Sequence, residues 1–252
     1  MHLRFLWGLF LLAAVSLAGA CGSSEPQPAT TTPPPSADIA ANLFTNGSFE
    51  VGAEPWFSLT STSQAWGTAF SVSDAVAHSG EHSAYLEMRA GRQASGPQVF
   101  GVVQEIAPEQ FPELLSGYYF VEDWDRGTEK QYLQFVVIVI GATGLPGDYP
   151  NHQIRFLLAG IDEPPFPISN AHFLFINKDE PATGRWVYFE RNLRDDFQQL
   201  WGAVPTSFEK IRILFETRYD DKTAGSGEVK ADVFYDDLYV GPAADNPNQP
   251  GQ

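Results

Sequence analysis

A chain of 252 residues is long enough for one sandwich-sized domain with extensions. Hydrophobic residues make up 43% of it and aromatic residues 13%, which supplies a full core and excludes a wholly disordered protein. The formal net charge of −16 repels nucleic acid and anionic lipid head groups. Acidic polysaccharides are disfavoured for the same reason unless calcium bridges them, whereas neutral sugars and cations remain compatible partners.

Residues 1–20 have the pattern of an export signal peptide. A basic start at Arg4 precedes an apolar stretch over residues 5–17, and small residues follow. Cys21 completes the run LAGAC, which resembles a bacterial lipobox and implies lipidation of this cysteine and anchoring to a membrane of the cell envelope. Ala18 departs from the commonest form of that motif, so ordinary cleavage after Ala20, giving a secreted chain, is the alternative. With a single cysteine, no intramolecular disulfide supports the fold.

The regions between the signal and the domain, and after the domain, differ in composition from the rest. Ser, Thr and Pro dominate residues 21–41, which favours an extended linker because such a composition cannot form a core. The linker would hold one domain, residues 42–241, away from the lipid. Residues 242–252 are expected to form a structureless tail.

The body of the chain shows many short strand patterns separated by Gly, Pro, Asn and Asp clusters. This spacing predicts an all-β fold, an antiparallel β-sandwich or jelly roll. One helix is predicted, with Asn192 as N-cap and Gly202 as its stop. The predicted strands are residues 69–72, 83–88, 99–105, 117–122, 132–140, 153–158, 172–177, 186–192, 210–217 and 229–239. Residues 132–140 include a continuous apolar run and should form a central strand.

The last strand, residues 231–241, alternates polar with aromatic and β-branched residues. Strict alternation places Phe234, Asp236 and Leu238 on one face, taken as the core face. Because a bare buried carboxylate costs several kcal/mol or more, Asp236 requires a partner or a cation. The stretch 46–50, reading NGSFE, is the partner that the sequence offers.

Three stretches together resemble the jelly-roll carbohydrate-binding modules, the galactose-binding-like sandwiches attached to cellulases and xylanases. They are NLFTNGSFE at 42–50, AHSGEHS at 77–83 and FYDDL at 234–238. The resemblance covers about 200 residues in outline and about 21 residues in motif, and residues 141–200 have no counterpart in it. It implies a sandwich that binds a glycan without catalysis.

The resemblance also implies a structural calcium ion. In that family an opening Glu and an Asp of the closing strand hold calcium, with backbone oxygens from the middle loop. By position these are Glu50 and Asp236, with Asp237 beside it, and loop oxygens from Ser79 to Glu81. Calcium takes 6–8 oxygen ligands, which suits this set. The alternative is that Glu50 pairs with an arginine and Asp236 caps a turn.

Candidate sugar-binding residues are the tryptophans in polar surroundings, because an exposed indole can stack on a sugar face. Trp56, Trp66 and Trp124 meet this description, and Asp123, Asp125 and Arg126 beside the last could bind hydroxyls. The alternative for each indole is packing over a strand end. Trp186 and Trp201 are assigned to the core.

Signals of catalysis are weaker, since no spacing singles out a pair of carboxylates. The available acids are Glu122, Asp123, Asp195, Asp196, Glu216, Asp220 and Asp221. The sequence thus favours a lipid-anchored protein that binds a neutral glycan. A polysaccharide hydrolase or lyase of sandwich fold is one alternative, and an envelope structural or adhesion protein with a protein partner is another.

Overall fold

A computed structural model describes residues 38–60, 70–90, 97–126, 130–161, 163–220 and 229–249. The predicted signal peptide, most of the linker, Cys21 and Trp66 lie outside these ranges. The elements are β1 (Phe57–Thr60), β2 (Ser71–Ser73), β3 (Ser83–Ala90), β4 (Gln98–Ile106), β5 (Leu114–Asp125), β6 (Gln131–Ile140), β7 (Asn151–Ala159), β8 (Phe166–Ile168), β9 (Ala171–Phe175), β10 (Trp186–Asn192), α1 (Leu193–Trp201), β11 (Lys210–Tyr219) and β12 (Val229–Gly241), followed by a 3-10 turn at Ala243–Asp245. No helix in the described ranges is long and apolar enough to cross a membrane.

The strands of the described residues form two sheets. One has seven strands in the order β1-β4-β11-β6-β7-β9-β8, and the other has five in the order β10-β5-β12-β3-β2. All neighbours are antiparallel except β7 and β9. The predicted all-β jelly-roll sandwich is therefore confirmed. The short edge strands β1 and β8 escaped prediction because three or four residues give little periodic signal.

The core lies between the two sheets and is built from alternate residues of each strand. Strand β6 is central, paired with β11 on one side and β7 on the other, as its apolar run predicts. Its residues Phe135 and Val137 point inward, and Gln134 and Val136 point to the outer face. Because Gln134 and Val136 are also buried, the outer face of this sheet is partly covered.

The single helix is as predicted. Asn192 caps it, with its side-chain oxygen accepting the N–H of Asp195 at 3.0 Å, and Gly202 ends it with φ of 76°. Phe197 and Trp201 are buried against the sandwich. Local capping chemistry was sufficient to place both ends.

The predicted faces of the last strand are wrong over its first half. Val233 and Tyr235 point into the core, whereas Phe234 lies on the outer face against Tyr85. The reason is a β-bulge after Asp236, where Asp237 adopts φ of 48°. The extra residue shifts the alternation, so that Leu238 and Val240 point inward further along.

The prediction of a structureless tail is wrong for residues 242–249. Asn246 accepts a hydrogen bond from Ser116, and Asn248 donates to the carbonyl of Asp237 at 2.6 Å. Both asparagines are buried. Their amides satisfy polar groups at the end of the five-stranded sheet, which hydropathy alone does not reveal.

Candidate functional sites

The opening stretch runs beside the last strand, as the sequence predicts. The Leu238 N–H donates to the Gly47 carbonyl at 2.9 Å, and the Asn42 side chain bonds the backbone of Leu238 and Val240. A Cβ on Gly47 would lie 2.2 Å from the Leu238 carbonyl oxygen, so a glycine is needed for this approach. The two ends of the domain are thus joined by hydrogen bonds.

The loop His78–His82 closes against both ends, and we call this region the carboxylate corner: Glu50, Asp236, Asp237 and residues 78–82. Glu50 Oε1 accepts the backbone N–H groups of Glu81 and His82, each at 2.8 Å. Its carboxylate lies where a side chain at residue 80 would stand, and Gly80 has φ of 64°. The loop is therefore fitted around this carboxylate.

Asp236 and Asp237 bind the start of the same loop. Asp236 Oδ2 accepts the N–H of His78 at 2.7 Å, and its Oδ1 accepts the N–H of Asp237 at 2.7 Å. Asp237 accepts the Ser79 hydroxyl at 2.8 Å and contacts the His78 ring at 2.7 Å. Burial and the neighbouring Asp237 raise the pKa of Asp236, against the opposing effect of its N–H donors.

The donors that meet these carboxylates are N–H and O–H groups of the loop, where the family resemblance implies carbonyl oxygens. Asp236 caps a turn, as the alternative interpretation states, but Glu50 binds backbone amides instead of an arginine. Within the described residues, no group of three acidic, His or Cys side chains has the arrangement of a metal site. Two adjacent buried carboxylates nonetheless supply the hard oxygen donors that calcium prefers, so calcium stays a prediction.

The described tryptophans Trp56, Trp124 and Trp186 do not come together as one sugar platform. Trp56 is buried in the core, where it packs on Phe44 and Phe49 and donates its ring N–H to the Asn46 carbonyl at 2.7 Å. The expectation of an exposed indole is therefore wrong for Trp56. Trp186, in contrast, is predicted to lie in the core but is half-buried on the outer face beside Phe120.

The predicted cluster around Trp124 lies at the end of β5. Its indole packs partly on the core and donates to Glu180 at 2.5 Å, and Arg126 bonds the Gly160 carbonyl at 3.0 Å. Asp123 pairs with Lys230. Asp125 is exposed. The polar side chains here are mostly engaged with one another.

A groove of about 490 Å3 lies on the outer face of the seven-stranded sheet. Its floor is an apolar cluster of Tyr132, Leu157 and Ile161, against which Phe173 and Phe175 pack. Phe166 stacks on Phe173, with ring centroids 4.6 Å apart. The other side of the groove is polar: the lining there includes Lys130, Arg218 and Asp220.

The polar side of the groove is held by a hydrogen-bonded set on β11 and β6. Arg218 Nε donates to Asp220 Oδ1 at 2.8 Å, and the Tyr132 hydroxyl donates to Asp220 Oδ2 at 2.5 Å. Burial by itself lowers the pKa of Arg218, but the neighbouring Tyr132 and Asp220 together raise it. This arrangement orients planar hydrogen-bonding groups next to aromatic rings, a common composition for a sugar site.

Beside the groove floor lie buried polar groups that face the same side of the sheet. Glu216, 3% exposed, accepts a hydrogen bond from Gln134 at 2.5 Å. Burial raises the pKa of Glu216, although Arg218 and the Gln134 amide act in the opposite direction. Within the described residues, the side-chain oxygen Oε1 of Gln134 and Arg155 Nε have no hydrogen-bond partner. A buried polar atom without a partner calls for an explanation, and a bound ligand is one.

Sequence reasoning named Glu216 and Asp220 among many acids but did not find the groove. Its residues come from five strands, β6, β7, β8, β9 and β11, and from the loops beside them, and strand register brings them together. The alternation of polar with apolar residues in the segment RILFETRY, residues 212–219, is the one local signal. It shows that Glu216 and Arg218 share a face.

No family model and no curated protein matches the chain. Among solved structures, the fold is similar to a family 61 carbohydrate-binding module in complex with β-1,4-galactotriose, with a TM-score of 0.41 and 16% identity over 79% of this chain and 97% of that one. It is also similar to a family 11 module from Clostridium thermocellum in complex with a mixed-linked tetrasaccharide, with a TM-score of 0.39 and 10% identity over 80% and 95% of the two chains. A third similar structure is an endo-β-1,4-glucuronan lyase from the fungus Trichoderma reesei, with a TM-score of 0.47 and 12% identity over 79% and 96%. Carbohydrate-binding modules are the class that the three sequence motifs resemble.

Proposed function

We propose that this protein binds a glycan, without catalysis, in the groove on the outer face of the seven-stranded sheet. The observation that carries the proposal is the lining of the groove, with aromatic rings such as Phe173 on one side and the Arg218–Asp220 pair on the other. Sugar rings offer apolar C–H faces to aromatic rings and hydroxyls to planar polar groups. The charge of the whole chain favours a predominantly neutral glycan.

Isothermal titration against a panel of soluble glycans tests this proposal, with Phe173→Ala as the groove variant. Loss of one stacking ring is expected to weaken binding by about tenfold. Phe57→Ala is the matched control, because Phe57 is 44% exposed on β1 of the same sheet but does not line the groove. If no glycan binds with a dissociation constant below about 1 mM, the proposal is wrong.

The same proposal places the domain at the cell envelope through lipid on Cys21. The supporting observation is the LAGAC run after an apolar signal, followed by a Ser/Thr/Pro-rich stretch that is suited to a tether. Labelling of the exported protein with a lipid analogue should succeed, and Cys21→Ala should remove the label and release the domain to a soluble fraction. Soluble wild-type protein without lipid would contradict anchoring.

A structural calcium ion at the carboxylate corner is part of the proposal. The adjacent carboxylates of Asp236 and Asp237, both buried, support it. Thermal unfolding is expected at a higher temperature in calcium than after EDTA, because a ligand at 100 times its dissociation constant adds about 2.7 kcal/mol. Equal melting temperatures would show that the hydrogen bonds of the loop suffice.

A second candidate function is a polysaccharide hydrolase or lyase, which the buried position of Glu216 beside the groove favours, because burial raises the pKa of this carboxyl and a raised pKa suits general acid catalysis. A partnering carboxylate is harder to assign: Asp220, four residues on, has its Cα roughly 13 Å away in an extended strand. Prolonged incubation with each bound glycan, followed by measurement of new chain ends, distinguishes this candidate. Release that Glu216→Gln abolishes would establish it.

A further inference from the structure

Arg155 is a half-buried cation that makes no ion pair within the described residues, although the nearby Glu216 carboxyl acts to raise its pKa. It lies on β7 on the same outer face as Glu216, and its guanidinium carbon stands 5.5 Å from the centroid of the Phe173 ring, which lines the groove. Within the described residues, its one hydrogen bond goes from Nη2 to Gln153 at 3.1 Å, and Nε has no partner. Burial lowers the pKa of Arg155. A guanidinium has five N–H donors, and within the described residues Arg155 uses one of them, towards Gln153.

The neighbouring Arg218 differs from Arg155 because it has an ion-pair partner within the chain. It is paired with Asp220 at 2.8 Å, and its pKa is raised. Arg155 makes no ion pair within the described residues, since Glu216, the nearby acid on β11, bonds Gln134 and is itself held towards its protonated form by burial. A partly buried cation without an ion-pair partner is poorly compensated, and an anion from outside the chain would stabilise it.

The groove is also less acidic than the chain as a whole. Asp and Glu outnumber Lys and Arg by 31 to 15 overall. The lining of the groove instead contains two of each, Lys130 and Arg218 against Glu163 and Asp220. Arg155, beside Phe173, adds a further cation near the groove, so the groove repels a carboxylate less than the charge of the whole chain suggests.

We propose that the glycan bound in the groove carries a carboxylate, as a uronic-acid unit within an otherwise neutral chain, and that Arg155 receives it. Arginine binds carboxylates through two parallel N–H···O bonds, which suits a guanidinium with free donors. Stacking on Phe173 holds the guanidinium plane, so little side-chain entropy is lost on binding. This inference rests on the proposed function and adds the class of ligand to it.

The decisive experiment compares one glycan with its own carboxyl-reduced form. Glucuronoxylan and the same preparation after chemical reduction of its uronates share backbone, length and linkage, and differ in charge alone. Wild-type protein is expected to bind the uronate form at least tenfold more tightly, and the preference should shrink with added salt. Both titrations are performed in EDTA, because calcium would otherwise bridge a uronate to any acidic surface.

Variants identify the residue responsible. Arg155→Met should abolish the preference while leaving the affinity for the reduced glycan within about twofold. Arg155→Lys keeps the charge without the planar fork, so an intermediate loss is expected. Arg212→Met is the matched control, because Arg212 lies on the outer face of the same sheet but is paired with Glu105 and does not line the groove.

Each outcome has a definite meaning. Equal affinity of wild-type protein for both forms overturns the inference but leaves the proposed function intact, whereas no binding of either form or of any neutral glycan overturns both. A preference that Arg212→Met abolishes and Arg155→Met keeps also overturns the role of Arg155. Should Arg155→Met fail to fold, the wild-type comparison and Arg155→Lys still decide the question.

Discussion

The carboxylate corner and the groove both bury charged groups, but they satisfy them differently. At the corner, loop N–H and O–H groups meet the oxygens of Asp236 and Asp237, and the two carboxylates join the loop to the last strand. In the groove region, the side-chain oxygen Oε1 of Gln134 and Arg155 Nε have no hydrogen-bond partner within the described residues. Buried polar groups whose hydrogen bonds are all made within the chain stabilise the fold, whereas groups with hydrogen bonds still to make are available to a ligand.

The comparison also separates stability from binding. Substitutions at the corner should lower the free energy of unfolding because they leave loop amides without acceptors. Substitutions of groove side chains such as Phe173 should reduce ligand affinity and leave stability nearly unchanged, since its ring is half-exposed. Three substitutions probe the two regions through their stability, in order of the expected effect on the free energy of unfolding.

The largest effect is expected for Asp236→Ala. Removing the carboxylate leaves the buried N–H groups of His78, Ser79 and Asp237 without an acceptor, at about 1–3 kcal/mol each, so the free energy of unfolding should fall by about 3 kcal/mol or more. Urea unfolding measures it. Asp125→Ala is the control, because Asp125 is exposed and its replacement should change stability by less than about 0.5 kcal/mol. A loss below about 1 kcal/mol for Asp236→Ala would mean that the corner is not a structural joint.

A smaller effect is expected for Gly80→Ala, measured against Gly184→Ala. Both glycines have positive φ, 64° and 72°, so each alanine has a backbone cost of about 1–2 kcal/mol. Only at Gly80 would the new Cβ also meet the Glu50 carboxylate, 2.4 Å away, while Gly184 has open space. The difference between the two losses in unfolding free energy therefore isolates the contact between loop and carboxylate. Equal losses would show that Glu50 moves aside freely.

The corner was largely predictable from sequence, and the groove was not. Short motifs such as NGSFE and FYDDL carry local turn and strand chemistry, so the meeting of Glu50, the middle loop and Asp236 follows from a resemblance in residues alone. The bulge at Asp237 was missed because an extra residue in a strand leaves the pattern of hydropathy nearly unchanged while it reverses every side chain after it.

The prediction of a sugar-binding indole from local polarity was wrong for Trp56 for a related reason. Trp56 follows Pro55 in a polar stretch, but its indole is covered by Phe44 and Phe49, which come from another part of the loop. In the sequence, Arg155 has the pattern of a surface arginine on a strand in which polar and apolar residues alternate. The register of β7 with β6 and β9 is needed to show that Arg155 lies beside Phe173, where it makes no ion pair within the described residues.

The smallest effect is a pH dependence at Glu216. Burial raises its pKa in the folded state above the usual 4.5, so the folded protein binds this proton more tightly than the unfolded chain does. The resulting stabilisation is fully present below about pH 4.5 and is lost as the pH rises through the folded-state pKa. The groups around the carboxyl are Arg218 on β11, Asp220 just after it, Gln134 on β6 and Arg155 on β7. The two arginines limit the shift of the Glu216 pKa.

Glu216→Gln removes this proton and keeps the shape, so it supplies the reference curve. The melting temperature of the wild type relative to that of Glu216→Gln is expected to fall as the pH is raised from about 4.5 towards neutrality. Parallel curves would mean that Glu216 is already ionised against Arg155 and Arg218. In that case Arg155 would have its anion within the chain, and the contrast between a saturated corner and an unsaturated groove would no longer hold.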